Sequence, residues 1–250
     1  MLGRVAIIAL GITIFAASLM AFCGVASAYY IGHQYALMEK VSGSQWDGIQ
    51  VRMEVRAGEL DYADAVDGLY IANSLWAYTD ATGSNEFVEA GYTRGWNTLN
   101  IMTGYWASRR YSESQGQYVY AEHRIVNCTW TGGDWHYFKI MHHSGTTTGD
   151  CTWQVFVDGS AVQSGDGVGL TTSHQYPHSS FMQAGLEVIA SSGKLGASSN
   201  NCRLYNLAAT TDEQGSWGNF NNPTTTLYPG YNLWLGWQSY PTDFKNYRNW

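Results

Sequence analysis

Alternation of apolar and polar side chains marks the first predicted strand of the chain. Along Gly48–Arg56, with the sequence GIQVRMEVR, every second residue is apolar. Successive side chains of a β-strand point to opposite faces, so this period of two predicts a strand with one buried face. The next segment, Gly58–Gly68, carries four acidic residues and little β-branching. It is therefore predicted to form a loop or a short helix.

From Leu69 onward the pattern predicts a series of antiparallel strands. The run LYIANSLWAYTD ends at Asp80, the turn ATGSN follows, and EFVEAGYTRGW ends at Trp96, which together predict a β-hairpin. Turn-rich segments separate further strand-like runs, which lie at Gln117–Val126, Trp135–His142, Thr152–Asp158, Phe181–Ala190 and Leu233–Trp237. Because no helical period is sustained after the N-terminal segment, we expect an all-β fold, an antiparallel sandwich of the concanavalin-like or jelly-roll type.

The N-terminal segment has a different pattern. One positive charge at Arg4 precedes an uncharged run of apolar and small residues that ends in Ala26-Ser27-Ala28. This arrangement predicts an export signal helix over residues 1–28 and a single β-sandwich domain over 29–250, secreted or held at the cell surface. The run is also long enough to cross a bilayer, so an uncleaved anchor is the alternative. Contact with a membrane is expected only through this segment.

Composition narrows the classes of partner. Charged residues make up 13% of the chain and aromatic residues 15%, with 28 Gly and 4 Pro, which fits strands joined by polar turns. The formal net charge is −7, and Lys and Arg are not clustered. The chain therefore lacks the positive surface that a phosphate backbone requires, and no nucleic acid partner is expected.

Three cysteines remain if the signal is removed. In an oxidising compartment one disulfide is expected, most readily between Cys128 and Cys151, since each begins or ends a strand-like run, although sequence does not fix the pairing. No CxxC spacing is present, and His142 and His143 would point to opposite faces of a strand. Neither a metal site nor a cofactor is predicted.

Candidate chemistry is limited to glutamates on predicted strands. The chain has no nucleophile elbow, P-loop or dinucleotide fingerprint. Glu89, Glu122 and Glu187 each lie among apolar or small neighbours. A strand carboxylate desolvated on a curved, aromatic-lined face would have a raised pKa and could perform acid–base chemistry. The alternative is that these are surface glutamates, or buried ones paired with arginine, for which the candidates are Arg94, Arg109, Arg110 and Arg124.

The order of these runs resembles the glutamic peptidases, or eqolisins, and their concanavalin-like relatives. LWAYTD, FVEAGYTRGW, YVYAEHR, the pair WHYFKIMH and TWQVFVD, and a late AGLEV carry the resemblance, over roughly Leu69 to Ala190. In that family an early strand supplies a catalytic Gln followed by Thr-Gly, the next supplies an aromatic-flanked Glu, and a late strand supplies the catalytic Glu. The resemblance implies a β-sandwich and an acid peptidase.

Transferred position by position, the resemblance places Glu89, before Ala90-Gly91, where the catalytic Gln would be. It matches Glu122 to the aromatic-flanked Glu and Glu187 to the catalytic Glu. An ionised carboxylate at position 89 accepts hydrogen bonds but does not donate them, unlike the amide that it replaces. Two facing carboxylates also resemble the acid and base, or acid and nucleophile, of a glycosidase.

Aromatic residues predict a different function. Tyr and Trp are suited to stack on sugars or to anchor protein contacts. In the C-terminal region, Trp217, Trp234 and Trp237 lie among Asn and Gly and are candidates for an exposed binding surface. The first expectation is therefore a binding module for a glycan or another cell-envelope component. The alternatives are an exported acid hydrolase that uses the paired glutamates, and a structural surface protein that self-associates.

Overall fold

The computed structural model describes most of the chain after residue 29. The described ranges are 30–60, 68–80, 85–95, 98–146, 150–164, 167–168, 170–190, 193–196, 199–212, 216–220, 223–227, 233–239 and 243–248. Their regular elements are all β-strands, which confirms the all-β prediction. The predicted export segment, residues 1–28, lies outside the described residues. Within the described ranges no helix is long and apolar enough to cross a membrane.

Twenty strands occur in the described residues. They are β1 Tyr30–Trp46, β2 Gly48–Glu54, β3 Gly58–Glu59, β4 Tyr70–Tyr78, β5 Phe87–Gly95, β6 Thr98–Ser112, β7 Gln117–Trp130, β8 Trp135–Ser144, β9 Cys151–Val157, β10 Ser160–Ala161, β11 Gln163–Ser164, β12 Gly167–Val168, β13 Leu170–His174, β14 Ser179–Ala190, β15 Lys194–Leu195, β16 Cys202–Thr210, β17 Gly218–Asn219, β18 Thr224–Leu227, β19 Leu233–Ser239 and β20 Asp243–Arg248.

The strands form two antiparallel sheets. Nine strands of the first sheet follow the order β12-β11-β7-β6-β5-β4-β14-β1-β18. The second sheet has eleven strands, with the order β10-β9-β8-β2-β16-β20-β15-β3 and with β13, β17 and β19 paired beside β9, β16 and β20. At one end of the first sheet, strands from the two halves of the chain alternate in the order β4-β14-β1-β18.

The hydrophobic core lies between the two sheets. Ile71 and Leu75 of β4 and Leu186 of β14 are fully buried on the first sheet, and Val51 and Phe138 are fully buried on the second. These residues belong to one continuous apolar cluster. Burial of such side chains contributes about 1.5–3 kcal/mol each, so the core stabilises the register of both sheets.

Most of the predicted strands are confirmed. The alternating run at Gly48 forms β2, and the predicted hairpin forms β4 and β5, with Trp76 paired with Glu89. Prediction missed β1 and β6, which are the two longest strands of the first sheet. Neither has a regular alternation of apolar and polar residues in the sequence, since Gly, Thr and adjacent charged residues interrupt it.

The structure does not support the predicted disulfide between Cys128 and Cys151. Cys151 is buried and carries a thiol, whose Sγ lies 3.8 Å from Oδ1 of Asp150. Burial, and then the charge of Asp150, raise the pKa of this thiol to about 11. The side chain of Cys128, on β7, lies outside the described side chains.

Candidate active site

A groove of about 570 Å³ lies on the face of the first sheet that is turned away from the core. Strand alternation separates the two faces, because Ile71 and Leu75 of β4 point into the core whereas Tyr70, Trp76 and Tyr78 line the groove. Ten residues line it: Tyr35, Tyr70, Trp76, Tyr78, Phe87, Glu89, Arg109, Tyr120, Glu187 and Ile189. Seven of the ten are aromatic or aliphatic, so the carboxylates of Glu89 and Glu187 lie in largely apolar surroundings.

Two rows of directly paired residues cross the sheet beneath the groove. The acidic row consists of Gln183, Trp76, Glu89, Ala107 and Glu122 on β14, β4, β5, β6 and β7. The aromatic row lies two residues along each strand and consists of Phe181, Tyr78, Phe87, Arg109 and Tyr120. Directly paired residues of antiparallel strands lie on the same face. The register therefore brings both rows to the groove face.

Glu89 is a buried carboxyl group held by hydroxyl donors. Its side chain is 3% exposed, and the Tyr105 hydroxyl donates a hydrogen bond to its Oε1. The Ser74 hydroxyl lies 2.5 Å from that of Tyr105 and also bonds to Glu89. Burial, and then the charge of Glu187, raise the pKa of Glu89 well above its ordinary value, although the hydrogen bonds from Tyr105 and Ser74 oppose the shift. The structure therefore favours a protonated Glu89.

Gly91 allows this network to form. Gly91 is paired with both Ser74 and Tyr105, one row from Glu89. A Cβ at this position would lie 2.1 Å from the carbonyl oxygen of Asn73 and 2.6 Å from Oγ of Ser74, far inside van der Waals contact. Only glycine lets the strands and the two hydroxyls approach this closely.

Glu187 faces the same groove from β14, which is separated from β5 by β4. It is 4% exposed, and the Tyr70 hydroxyl donates to its Oε2 at 3.1 Å. Tyr35 of β1 is directly paired with Glu187 and also forms a hydrogen bond with it. Burial, and then Glu187, raise the pKa of both tyrosines, so both remain hydroxyl donors. A carboxylate can accept several such bonds at once.

Glu122 is on the same face but does not line the groove. It is half-buried, and the Tyr120 hydroxyl donates to its Oε2 at 3.1 Å. Burial is the main cause that raises the pKa of Glu122 to about 7; Glu187 adds to the shift, while Tyr120 and Arg124 oppose it. The three predicted glutamates therefore share one sheet face, with Glu89 and Glu187 in the groove and Glu122 at its side.

Sequence reasoning missed Gln183, which is level with Glu89 across Trp76. The Tyr78 hydroxyl donates to Oε1 of Gln183 at 3.1 Å, and Nε2 of Gln183 donates to Glu39 at 2.6 Å. The amide is therefore fixed and has one further N–H. The period-two spacing from Gln183 to Glu187 is the signal that would have placed both on one face.

The predicted tryptophan surface is only partly described. Trp217 is half-buried, and a Cβ on Gly48 would lie 3.1 Å from its Cη2, so its ring packs against the β2 backbone. Trp234 and Trp237 are on β19, paired with Tyr247 and Phe244, but their side chains lie outside the described side chains. These tryptophans therefore stay a prediction as ligand-binding residues. In the described residues no group of three His, Cys, Asp or Glu side chains is arranged to hold a metal ion.

Comparison with solved structures identifies the fold. A structure of scytalido-glutamic peptidase with a transition state analog inhibitor has a TM-score of 0.53 and 7% sequence identity, covering 85% of this chain and 97% of that one. The fold is similar to that of this peptidase. A second structure of scytalido-glutamic peptidase, with a peptide-based transition state analog, has a TM-score of 0.51 and 9% identity, covering 86% of this chain and 96% of that one. No protein-family model and no curated protein sequence matches the chain.

Proposed function

We propose that this protein is an exported acid hydrolase that cleaves peptide bonds with Glu187 and Glu89. The observation that carries the proposal is a pair of carboxyl groups, 3% and 4% exposed, in one aromatic-lined groove. A buried acid whose pKa is raised by a neighbouring acid, as that of Glu89 is, is typical of catalytic sites. Export is proposed from the apolar N-terminal run that ends in Ala26-Ser27-Ala28.

The two glutamates have different partners and therefore different roles. Glu187, which accepts hydrogen bonds from Tyr70 and Tyr35, is the general base that removes a proton from the attacking water. Glu89, with its raised pKa, is protonated and donates a hydrogen bond to the substrate carbonyl oxygen as negative charge develops there. Since Oε1 accepts from Tyr105, the proton belongs on Oε2.

Protonation gives Glu89 the hydrogen-bond donor that an ionised carboxylate at this position would lack. An ionised carboxylate could not replace an amide as a hydrogen-bond donor, but a neutral carboxyl group can. Burial and the charge of Glu187 supply the reason why this group is neutral. A Glu in the position of the catalytic Gln is therefore compatible with peptide-bond hydrolysis, provided that the pH stays below its raised pKa.

The likeness in fold to glutamic peptidases favours a peptide substrate. The second candidate is a carbohydrate, and the observation that favours it is the aromatic row. Rings of Phe181 and Tyr78 lie 5.2 Å apart, those of Tyr78 and Phe87 lie 5.7 Å apart, and those of Phe87 and Tyr120 lie 6.2 Å apart. Such a series can stack on sugar rings, and a protonated and an ionised carboxyl together suit glycoside hydrolysis.

The test compares wild-type protein with Glu187→Gln on an acid-unfolded protein and on mixed polysaccharides, from pH 3 to 8. Loss of a general base should reduce hydrolysis of the unfolded protein by about 10²–10⁴-fold. Glu59→Gln is the control, because Glu59 is an exposed strand glutamate of the other sheet, paired with Lys194. Equal activity of wild type and Glu187→Gln would reject the proposal. Release of oligosaccharides without peptide cleavage would favour the carbohydrate candidate.

A further inference from the structure

Arg109 brings a positive charge into the groove. It is half-buried on β6, in the aromatic row, directly paired with Phe87 and Tyr120. Ala107, two residues earlier on the same strand, is the direct partner of Glu89. Arg109 and Glu89 are therefore diagonal neighbours, at a backbone separation of about 7–8 Å. Among the residues that line the groove as described, Arg109 is the cationic one.

The Arg109 guanidinium has no acidic partner among the described residues. Its recorded contact is with the ring of Tyr118, whose centroid lies 5.1 Å from Cζ. Two other arginines bond to protein acceptors: Nη2 of Arg56 lies 2.5 Å from Oε1 of Glu54, and Nη1 of Arg248 donates to the carbonyl of Gly193 at 2.7 Å. Arg109 thus keeps its hydrogen-bond donors for another acceptor.

The two carboxyl groups of the groove are hydrogen-bonded to hydroxyl groups and not to Arg109. Glu89 accepts from Tyr105 and bonds to Ser74, and Glu187 accepts from Tyr70. The guanidinium instead lies over the ring of Tyr118, a contact that does not satisfy its N–H groups. Rings on both sides of Arg109 in the aromatic row reduce its access to water, and ionic hydrogen bonds strengthen in such surroundings.

We propose that Arg109 binds a carboxylate of the substrate and thereby makes the groove selective for acidic peptides. This inference rests on the proposed peptidase function. A planar guanidinium matches a carboxylate with two parallel hydrogen bonds, which a lysine cannot reproduce. An extended peptide advances about 3.3–3.6 Å per residue, so a carboxylate on Arg109 lies about two residues from a bond held at Glu89. The carboxylate is either the peptide C-terminus or an Asp or Glu side chain.

The experiment uses the full chain and four matched eight-residue peptides. One pair shares an uncharged sequence and ends in a free carboxylate or a carboxamide. The other pair ends in a carboxamide and carries a single internal Glu or Gln. Cleavage rates are measured for wild type, Arg109→Met, Arg109→Lys and Arg52→Met. Arg52 is the matched control, because its Cζ lies 5.0 Å from the ring centroid of Trp135 in the other sheet, exposed and outside the groove.

Wild type and Arg52→Met should prefer the acidic member of one pair by about tenfold to a hundredfold in kcat/KM, the range of a hydrogen bond to a charged group. Arg109→Met should reduce the ratio of kcat/KM between the acidic and the uncharged member of that pair to about one, while Arg109→Lys should retain part of the preference. Preference in the first pair assigns the C-terminal carboxylate, and preference in the second assigns the acidic side chain. An unchanged preference in Arg109→Met, or an equal loss for acidic and uncharged peptides, would overturn the inference.

Binding separates this inference from the proposed function. The affinities of all four peptides for wild type and Arg109→Met are measured by calorimetry whether or not cleavage occurs. If no peptide is cleaved but wild type binds the acidic peptides more tightly and Arg109→Met does not, the peptidase proposal fails and the carboxylate site stands. If peptides are cleaved without an acidic preference, the peptidase stands and the carboxylate site fails. Absence of any binding or cleavage would reject both.

Discussion

Two buried glutamates three residues apart, Glu86 and Glu89, have opposite surroundings. The side chain of Glu86 is fully buried, and its two oxygens accept backbone N–H groups of Tyr111 at 2.7 Å and Gln175 at 2.8 Å. Glu89 accepts from a side-chain hydroxyl, that of Tyr105, and it lines a groove. Glu86 thus connects three chain segments, whereas Glu89 faces space that a substrate can occupy.

The histidine beside Glu86 strengthens this contrast. Nδ1 of His174 lies 3.8 Å from Oε2 of Glu86 and 2.7 Å from Oγ1 of Thr79. Burial, and then Arg110, lower the pKa of His174 to about 3, so His174 is neutral and its contact with Glu86 is not an ion pair at neutral pH. The neighbour of Glu89 is instead a second acid, Glu187. The backbone donors and the neutral ring of His174 indicate a structural role for Glu86. The two acids that face one groove, Glu89 and Glu187, indicate a catalytic role.

The fold could be predicted from sequence where apolar and polar residues alternate. β2 is such a strand, because Val51 and Met53 are buried while Arg52 between them is exposed. β1 and β6 could not be predicted, because tertiary pairing on both sides stabilises strands whose own pattern is irregular. Their absence from the prediction matters, since β1 supplies Tyr35 and β6 supplies Tyr105 and Arg109.

The candidate site could be predicted only as a set of residue types. Glu89 and Glu187 were identified because acids among apolar strand neighbours are unusual, and the structure brings both into the groove. Sequence could not pair β14 with β4, however, and this pairing places Gln183 level with Glu89. It also could not foresee the protonation of Glu89, which depends on burial and on a residue 98 positions away in the chain.

The largest effect that separates the two glutamates is expected from Glu89→Leu. Leucine fills a similar volume but removes the hydrogen-bond donor, so peptide hydrolysis should fall by about 10²–10³-fold. Rates on the unfolded protein substrate measure this loss, and a thermal melt of the same sample checks that the variant is folded. Hydrolysis within threefold of wild type in a folded Glu89→Leu protein would remove Glu89 from the mechanism.

Glu86→Gln should instead destabilise the fold and leave the chemistry intact. The amide places N–H groups where one carboxylate oxygen accepted a backbone N–H, so that a buried donor loses its acceptor. Such a loss costs about 1–3 kcal/mol in the free energy of unfolding. Urea denaturation measures it, and the hydrolysis rate per folded molecule should equal that of wild type. A folded Glu86→Gln protein without activity would contradict the division between the two acids.

Glu89→Gln should have a smaller, pH-dependent effect on stability. The pKa of Glu89 is raised in the folded state, so its stabilising contribution is complete below the unfolded value of about 4.3 and is lost as pH rises through the folded pKa. Glutamine does not titrate. The variant should therefore exceed wild type in unfolding free energy at pH 7, on the order of 1 kcal/mol. This difference should shrink as the pH falls toward about 4.

The same variant also tests the role of Glu89 in catalysis. Glutamine keeps an N–H donor, so hydrolysis at acidic pH should stay within about tenfold of wild type, and the alkaline decline due to Glu89 should disappear. If a folded Glu89→Gln protein is inactive at every pH, Glu89 is the base. The amide of Gln183, which is level with Glu89, is then the donor that stabilises the carbonyl oxygen.

Glu122→Gln is expected to have the smallest effect. The pKa of Glu122 is raised to about 7, so its charge is present only from about that pH upward, where it adds to the raised pKa of Glu89. Removing this charge lowers the pKa of Glu89, and the alkaline limb of the activity profile should move to lower pH. Rates at pH 5 should match wild type, whereas rates at pH 8 should fall by about two- to fivefold. An equal loss at both pH values would mean that Glu122 takes part in the chemistry directly, because a purely electrostatic neighbour acts only where it is ionised.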